Sequence, residues 1–232
     1  MRPGIADTNL TKQHLKCVIF RSYIFYLQKH YPHVDIDRIC RESGLDIKYL
    51  LGEDNWVSIV FEAMLMKKIS EAVEDKDLVR RVGAFGVKKE VVGNAIHFLA
   101  YKILSLDTLY ENLPFVTSLL NKVMRVEIQG KEKGKILLRI SPILDDLSDA
   151  ESRILLERMP EFIENTIGYY AALPTEKKLP PANIETQQME VDGISCYYME
   201  VTYASENTVY LKFLNLFFIF FGCVGWCILS LF

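Results

Sequence analysis

Apolar positions recur at helical spacing through the first half of the chain, and at alternating spacing in two short stretches further on. Leu15–Lys29 (LKCVIFRSYIFYLQK) is apolar and aromatic and is stopped by Tyr31-Pro32, which predicts a first helix. Asp35 or Asp37 can cap a second helix running to Glu42 and closed by Gly44, and Leu45–Leu51 reads as a further turn ended by Gly52. From Ser58 to Val73 the apolar face is Ile59, Ala63, Met66, Ile69 and Val73, with Lys67, Lys68 and Glu71 opposite. Asp77–Phe85 is a shorter helix in which Gly83 and Gly86 permit close approach or termination. Lys88–Ser105 reads as one helix with Val91, Ala95, Phe98, Leu99 and Ile103 on a broad apolar face. Thr108–Leu120 follows, kinked or broken at Pro114.

The period then changes. Val123–Ile128 and Lys135–Ile140 are strand-like runs joined by a polar loop. Ser148 or Asp149 starts a long helix to about Tyr170, which Pro160 should kink. Beyond the Pro-punctuated loop at Pro174, Pro180 and Pro181, Ile184–Val191 and Ile194–Tyr203 flank Asp192-Gly193. That dipeptide between strand-formers is a strong hairpin signal, because both central residues of a type I′ turn need positive φ. Helices in a run, a hairpin, a long helix and a second hairpin argue an α+β fold: a helical N-terminal part packed on a small twisted antiparallel sheet.

Phe213–Phe232 holds six Phe and a Trp, and its only clearly polar members are Asn215 and Ser230. Twenty such residues would span about 30 Å as a helix, the thickness of a hydrocarbon core. The expected organisation is therefore a tail over 1–14, an α+β sensory domain over 15–205 and one C-terminal transmembrane helix over 209–232. Lys212 at its entry and the lack of a signal peptide place the N-terminal domain in the cytoplasm of a single-pass membrane protein.

With 232 residues and half of them hydrophobic, the chain can bury one sizeable core. A net charge of −3 gives no general attraction to a nucleic-acid backbone, so nucleic acid is not an expected partner. Five scattered cysteines show no zinc spacing and fit a reducing compartment. No phosphate-cradling glycine motif, nucleophile elbow or HExxH is present. The carboxylates Asp145, Asp146 and Asp149 precede a helix N-terminus, where the dipole favours acids without any metal. No catalytic and no metal-binding residue is assigned. Trp56 reads first as a packing staple, His97 as a hydrogen-bonded border residue and Cys196 as inert burial in a strand.

Four segments nevertheless carry a resemblance: GLDIKYLLGEDNWVS, VGAFGVKKEVVGNAIHFLAYKILSLDTLYENLP, GYYAALPTEKKLPPANIE and the hairpin ending CYYMEVTY. Together, over about Leu15 to Tyr203, they resemble the N-terminal sensory module of bacterial membrane-bound histidine kinases and nucleotide cyclases. That module is similar to the superfamily of haem-NO-binding domains, 4-vinyl reductase domains and vesicle-tethering transport-particle subunits. The resemblance implies a small apolar ligand held between helices and sheet, with any kinase or cyclase effector outside this chain. In its haem-binding members a Leu-Asp-x-Leu-His run supplies the proximal histidine and a Tyr-x-Ser-x-Arg run clamps the propionates. Here the first run is Leu106-Asp107-Thr108-Leu109-Tyr110, and the strand ILLRISP lacks the second. The departures weigh against haem and leave the cofactor unassigned.

The expectation is thus a membrane-anchored sensor domain whose ligand is oriented by Tyr110, His97, Tyr101, Tyr169 and Tyr170, with Trp56 and Cys196 as further candidates. It would work as a homodimer or through a downstream effector. A ligand-free, membrane-anchored adaptor is the alternative, which predicts a filled core and an exposed apolar patch, and a haem-based gas sensor is the less favoured third reading.

Overall fold

A computed structural model describes residues 9–204. The membrane helix expected over 209–232 lies outside the described residues. Among the described residues no helix is long and apolar enough to cross a membrane. Over the described residues the fold is α+β, and the expected transmembrane element finds no support there.

The chain begins differently from the helix expected at Leu15. Leu15–Lys16 form β1, which pairs antiparallel with β2 (Trp56–Val57). The backbone N–H groups of His14 and Cys17 donate to the carbonyls of Val57 and Asn55, which holds the chain extended there. A 3-10 turn over Cys17–Phe20 leads into α1 (Arg21–His30). Residues just before β1 are tied to the domain as well. Leu10 accepts from the Ser58 N–H, and Lys12 reaches Glu151 at 2.6 Å.

Four helices then follow the sequence pattern closely: α2 (Ile36–Glu42), α3 (Ile47–Leu50), α4 (Ile59–Ala72) and α5 (Leu78–Phe85). The side chains of Asp35, Asp46 and Ser58 cap the first three by accepting from backbone N–H groups three residues on. Each cap satisfies an otherwise orphaned donor, which is worth about 1 kcal/mol.

The helix expected over Lys88–Ser105 is broken. It becomes α6 (Lys89–Val92), α7 (Asn94–Phe98) and a π-helical turn over Leu99–Ile103. The break falls at Gly93, whose φ of +81° a glycine adopts readily. Of its expected apolar face Val91 is buried, but Phe98 and Leu99 are 58% and 56% exposed. Ser105 caps α8 (Leu106–Glu111) by accepting from the Thr108 N–H. Pro114 sits in the first turn of α9 (Leu113–Leu120), where its missing N–H costs nothing, so it begins a helix instead of kinking one.

The sheet is four-stranded and antiparallel, in the order β3 (Met124–Glu132), β4 (Lys135–Pro142), β6 (Ile194–Thr202), β5 (Asn183–Val191). Asp192 and Gly193 both take positive φ, 52° and 76°, as the type I′ turn requires. Between the hairpins runs α10 (Asp149–Ala172), opened by a capping box in which Ser148 and Glu151 satisfy each other's backbone N–H groups.

One hydrophobic cluster extends from Leu15 to Tyr203 between the helices and the sheet. Its closest helix crossing is α5 on α10. A Cβ on Gly83 would stand 2.0 Å from the Asn165 carbonyl oxygen, and one on Gly168 would stand 2.0 Å from that of Arg80. The two glycines therefore let the backbones touch directly, and α10 is held at the depth from which its last turn, Tyr169 and Tyr170, meets α8.

Candidate functional site

The site is built where α8, the end of α10 and the last strand converge. Leu106 and Tyr110 lie one turn apart on α8, and both are turned into the core. Tyr110 is fully buried. Its hydroxyl donates to the Tyr170 carbonyl at 2.7 Å, so the most buried polar atom of the helix is satisfied by backbone. One face of its ring is covered by Tyr203, with centroids 4.4 Å apart and planes 26° from parallel. The Tyr170 ring meets it edge-on at 6.5 Å.

Tyr203, just beyond β6, is held by a second residue of the same helix. Its hydroxyl donates to Asp107 Oδ1 at 2.6 Å, and its backbone N–H donates to the Gly134 carbonyl at 2.8 Å. Burial, and then the Asp107 carboxylate, raise the Tyr203 phenol above the ordinary range. Burial likewise raises Tyr110 and Tyr170. All three rings remain neutral phenols at physiological pH, and the Tyr110 and Tyr203 hydroxyls act as donors. Thr117 of α9 works against that rise at Tyr170.

A neighbouring cluster contains the other expected residues. Tyr101 is buried, and its phenol lies within the influence of Tyr169. Desolvation is the main cause of its raised pKa, reinforced by Tyr169. His97 meets the Tyr101 ring edge-on at 4.9 Å, and its Nε2 lies 2.7 Å from Glu176 Oε2. Lys88 Nζ occupies the other Glu176 oxygen at 2.6 Å. Burial pushes the Glu176 carboxyl up, but its bonds to Lys88 and His97 prevail and hold it below the usual range.

Five of the seven expected residues thus belong to two adjoining clusters. Trp56 and Cys196 do not join them. Trp56 sits in β2 opposite Lys16, with the Lys122 ammonium 4.6 Å above its ring, which is a packing role. Cys196 is buried in β6 opposite Met189. Tyr203 and Thr117 are the members that sequence reasoning left out. The aromatic CYYMEVTY ending was visible, but nothing local shows which helix its last Tyr meets.

Around Tyr110 the space is occupied by the rings of Tyr203 and Tyr170. A cavity of about 380 Å³ lies elsewhere, between α10 and the β5–β6 hairpin, against Met159, Pro160, Gln188, Ile194 and Tyr197. Among the described residues no group of three or more His, Cys, Asp or Glu side chains could hold a metal ion.

Comparison with solved structures identifies the fold. It is similar to that of haem-NO-binding, or H-NOX, domains, which the chain covers over nearly their whole length. The I5F mutant of the T. Tengcongensis H-NOX is 14% identical with a TM-score of 0.59, covering 83% of this chain and 100% of its own. The Fe(II) unliganded H-NOX protein from K. algicida is 11% identical, with a TM-score of 0.56 and coverages of 83% and 98%. An oxygen-binding H-NOX domain related to soluble guanylate cyclases is 14% identical, with a TM-score of 0.58 and coverages of 82% and 96%. At these identities the likeness establishes the fold alone. No protein-family model and no curated protein matches the chain.

The H-NOX fold implies a haem, and the residues present do not fit one. In the run Leu106–Tyr110, which resembles the haem-binding Leu-Asp-x-Leu-His run, Tyr110 stands in the place of the histidine, with its hydroxyl spent on the Tyr170 carbonyl and its ring covered by Tyr203. The four histidines of the chain are all placed otherwise. His14 Nδ1 accepts from the Ile59 N–H, His30 stacks near Tyr26, His33 lies edge-on to Tyr31, and His97 faces Glu176. Arg139, the arginine of the strand examined for a propionate clamp, is engaged by Glu127 at 2.5 Å.

Proposed function

We propose that this chain is a sensor-type regulatory domain of the H-NOX fold that works without a histidine-ligated haem. The observation that carries the reading is the double grip of α8 on Tyr203: Tyr110 stacks on its ring and Asp107 takes its hydroxyl. The position that presents a ligand group in haem-binding members here holds the segment by which the chain leaves the sheet. A repacking of α8 therefore moves the exit strand. A partner or small molecule that prefers one packing of α8 would shift the population between the two, to the extent of its differential affinity.

The neighbouring structures favour haem over a small apolar molecule as the ligand of this fold, and the side chains of this chain oppose it. Its resemblance to sensory modules of histidine kinases and nucleotide cyclases supports an effector beyond the domain as the recipient of the signal. The test is expression of the chain in haem-supplemented cells, with an absorption spectrum and native mass spectrometry of the purified protein. The expected result is the bare protein mass and no Soret band. A stoichiometric Soret band that disappears in Tyr110→Phe would overturn the proposal and make Tyr110 a haem ligand.

A further inference from the structure

The stretch from Ile96 to Leu119 is unusually apolar on its outside. Of the twelve large hydrophobic residues exposed among the described residues, seven fall between Ile96 and Leu119, so the exposure is concentrated rather than scattered. α7 has no buried residue at all, and α9, LPFVTSLL, buries only Leu113. Ile96 and Phe115 are each 62% exposed, and Phe98, Leu99, Val116 and Leu119 lie between 42% and 58%. Short helices this apolar are marginal in water without a partner for the exposed face.

The last described strand ends against the helix that lies between these apolar segments in sequence. Tyr203 is bonded to Asp107 of α8, the helix that stands between the π-helical turn and α9 in sequence. Eight residues, 205–212, separate the described domain from the apolar run Phe213–Phe232. Extended, they reach up to about 28 Å. A tether that short holds the apolar run at an effective concentration of order millimolar beside α7–α9, more than another molecule ordinarily supplies.

We infer that Phe213–Phe232 covers the apolar surface of α7, the π-helical turn and α9 within its own chain. The contact removes two apolar surfaces from water at once, and it places the covering segment on the helices that flank Tyr110. The inference stands on the exposed surface and the exit geometry, and it holds whether or not the domain binds haem.

The test uses the full chain, purified without detergent. Cys17, Cys40 and Cys196 are buried, which leaves Cys223 and Cys227 as native reporters within the apolar run. Phe115→Cys or Leu119→Cys is introduced, oxidised mildly and mapped by mass spectrometry, with Arg38→Cys on α2 as control. The expected result is a within-chain disulfide to Cys223 or Cys227 from the α9 positions and none from the control. Its yield should not change over about a tenfold range of protein concentration, as mass action requires of an intramolecular bond. Hydrogen exchange supplies a readout that leaves the domain unaltered: Phe217→Asp with Phe221→Asp should accelerate exchange across residues 94–120. Disulfides formed only between chains would overturn the inference in favour of a second copy. Protection of 94–120 that appears only on adding phosphatidylcholine vesicles, or a chain that cannot be kept in solution without detergent, would overturn it in favour of a lipid surface. Unchanged exchange in the double variant would overturn it outright.

Discussion

Tyr203 lies flat on Tyr110 with ring centroids 4.4 Å apart, although the two residues are separated by most of a sheet and the whole of α10. The stack closes the space a ligand would need on α8, and it couples that helix to the end of the last strand. The coupling has a polar half, the Tyr203–Asp107 bond, which can be removed without touching the rings. Asp107→Ala is expected to loosen the exit while leaving the core packed. Amide exchange at Val201–Tyr203 should rise by about tenfold, the equivalent of ~1.4 kcal/mol for a hydrogen bond to a charged group. The rest of β6 should stay protected. Equal acceleration over the whole sheet would show that the bond supports the fold in general and not the exit strand.

Tyr110→Phe removes the hydroxyl and leaves the Tyr170 carbonyl without its donor. A buried acceptor left unpaired costs about 1–3 kcal/mol, and denaturant melts should show that loss with an unchanged slope. Tyr110→His would restore the Leu-Asp-x-Leu-His run without making room beside Tyr203. It is expected to acquire no Soret band, and a haem-loaded Tyr110→His protein would show that the stack yields easily.

The glycines of the α5–α10 crossing give a sharper expectation. A methyl at Gly83 or Gly168 would stand 2.0 Å from a backbone carbonyl oxygen, which cannot swing aside as a side chain can. Gly83→Ala and Gly168→Ala should each cost about 3 kcal/mol or more, by forcing the helices apart. Gly193→Ala has open space around it and meets only the strain of its φ of +76°, about 1–2 kcal/mol. Thermal melts of the three variants would order them. A mild Gly168→Ala would mean that α10 can shift along α5, which would also loosen the seat of Tyr170.

Much of the architecture was legible because it is written locally. Asp192-Gly193 specifies its hairpin through the φ it requires, and Ser58 and the Ser148-x-x-Glu151 pair announce their helices through the donors they satisfy. The tyrosine site was only half legible. LDTLY and GYYAALP were visible as motifs, but the contacts that define them join Tyr110 to Tyr170 and Asp107 to Tyr203, and no local period encodes such pairs. The Lys88–Ser105 stretch misled for a related reason. Its apolar residues keep helical spacing, yet Gly93 breaks the helix and Phe98 and Leu99 face outward, so periodicity reported amphipathicity without reporting what covers the apolar side.

Glu62 and Arg158 make another distant pair, invisible in sequence and expensive to disturb. Arg158 grips Glu62 with two bonds, of 2.9 Å and 3.2 Å, at a carboxylate only 4% exposed. Burial raises the Glu62 pKa, with the Arg158 bonds opposing it. Arg158→Met should cost about 3–5 kcal/mol, because it leaves a buried charge uncompensated, while Glu62→Leu with Arg158→Met should recover most of that. The pH dependence has a definite sign. A carboxyl whose pKa is higher folded than unfolded favours folding below its unfolded value and loses that contribution as pH rises through the folded one. Arg158→Met, stripped of the opposing bonds, should therefore be relatively less destabilised near pH 4 than at pH 7. Urea melts at the two pH values check this, and a constant difference would mean that Glu62 escapes to solvent.

Glu151 titrates in the opposite sense. Burial acts to raise its carboxyl, but Lys12 at 2.6 Å and the Ser148 N–H and hydroxyl prevail, and hold it down to about 2. A carboxyl lowered on folding contributes stability above its unfolded pKa, near 4.5, and loses it as pH falls towards 2. The wild-type chain should accordingly lose stability across that window. Glu151→Gln removes the titrating group and should flatten that part of the profile. It should also lower stability at pH 7, since a neutral amide pairs less strongly with Lys12. Ser148→Ala removes the reciprocal cap and should cost about 1–2 kcal/mol. Because Glu151 joins the residues before β1 to the start of α10, the acid transition of the wild type should begin with release of residues 9–14. Proteolysis near Lys12 at pH 3.5 tests that order. Cleavage that appears only together with global unfolding would show that the N-terminal segment is held by Leu10 and His14 and not by the Glu151 carboxylate.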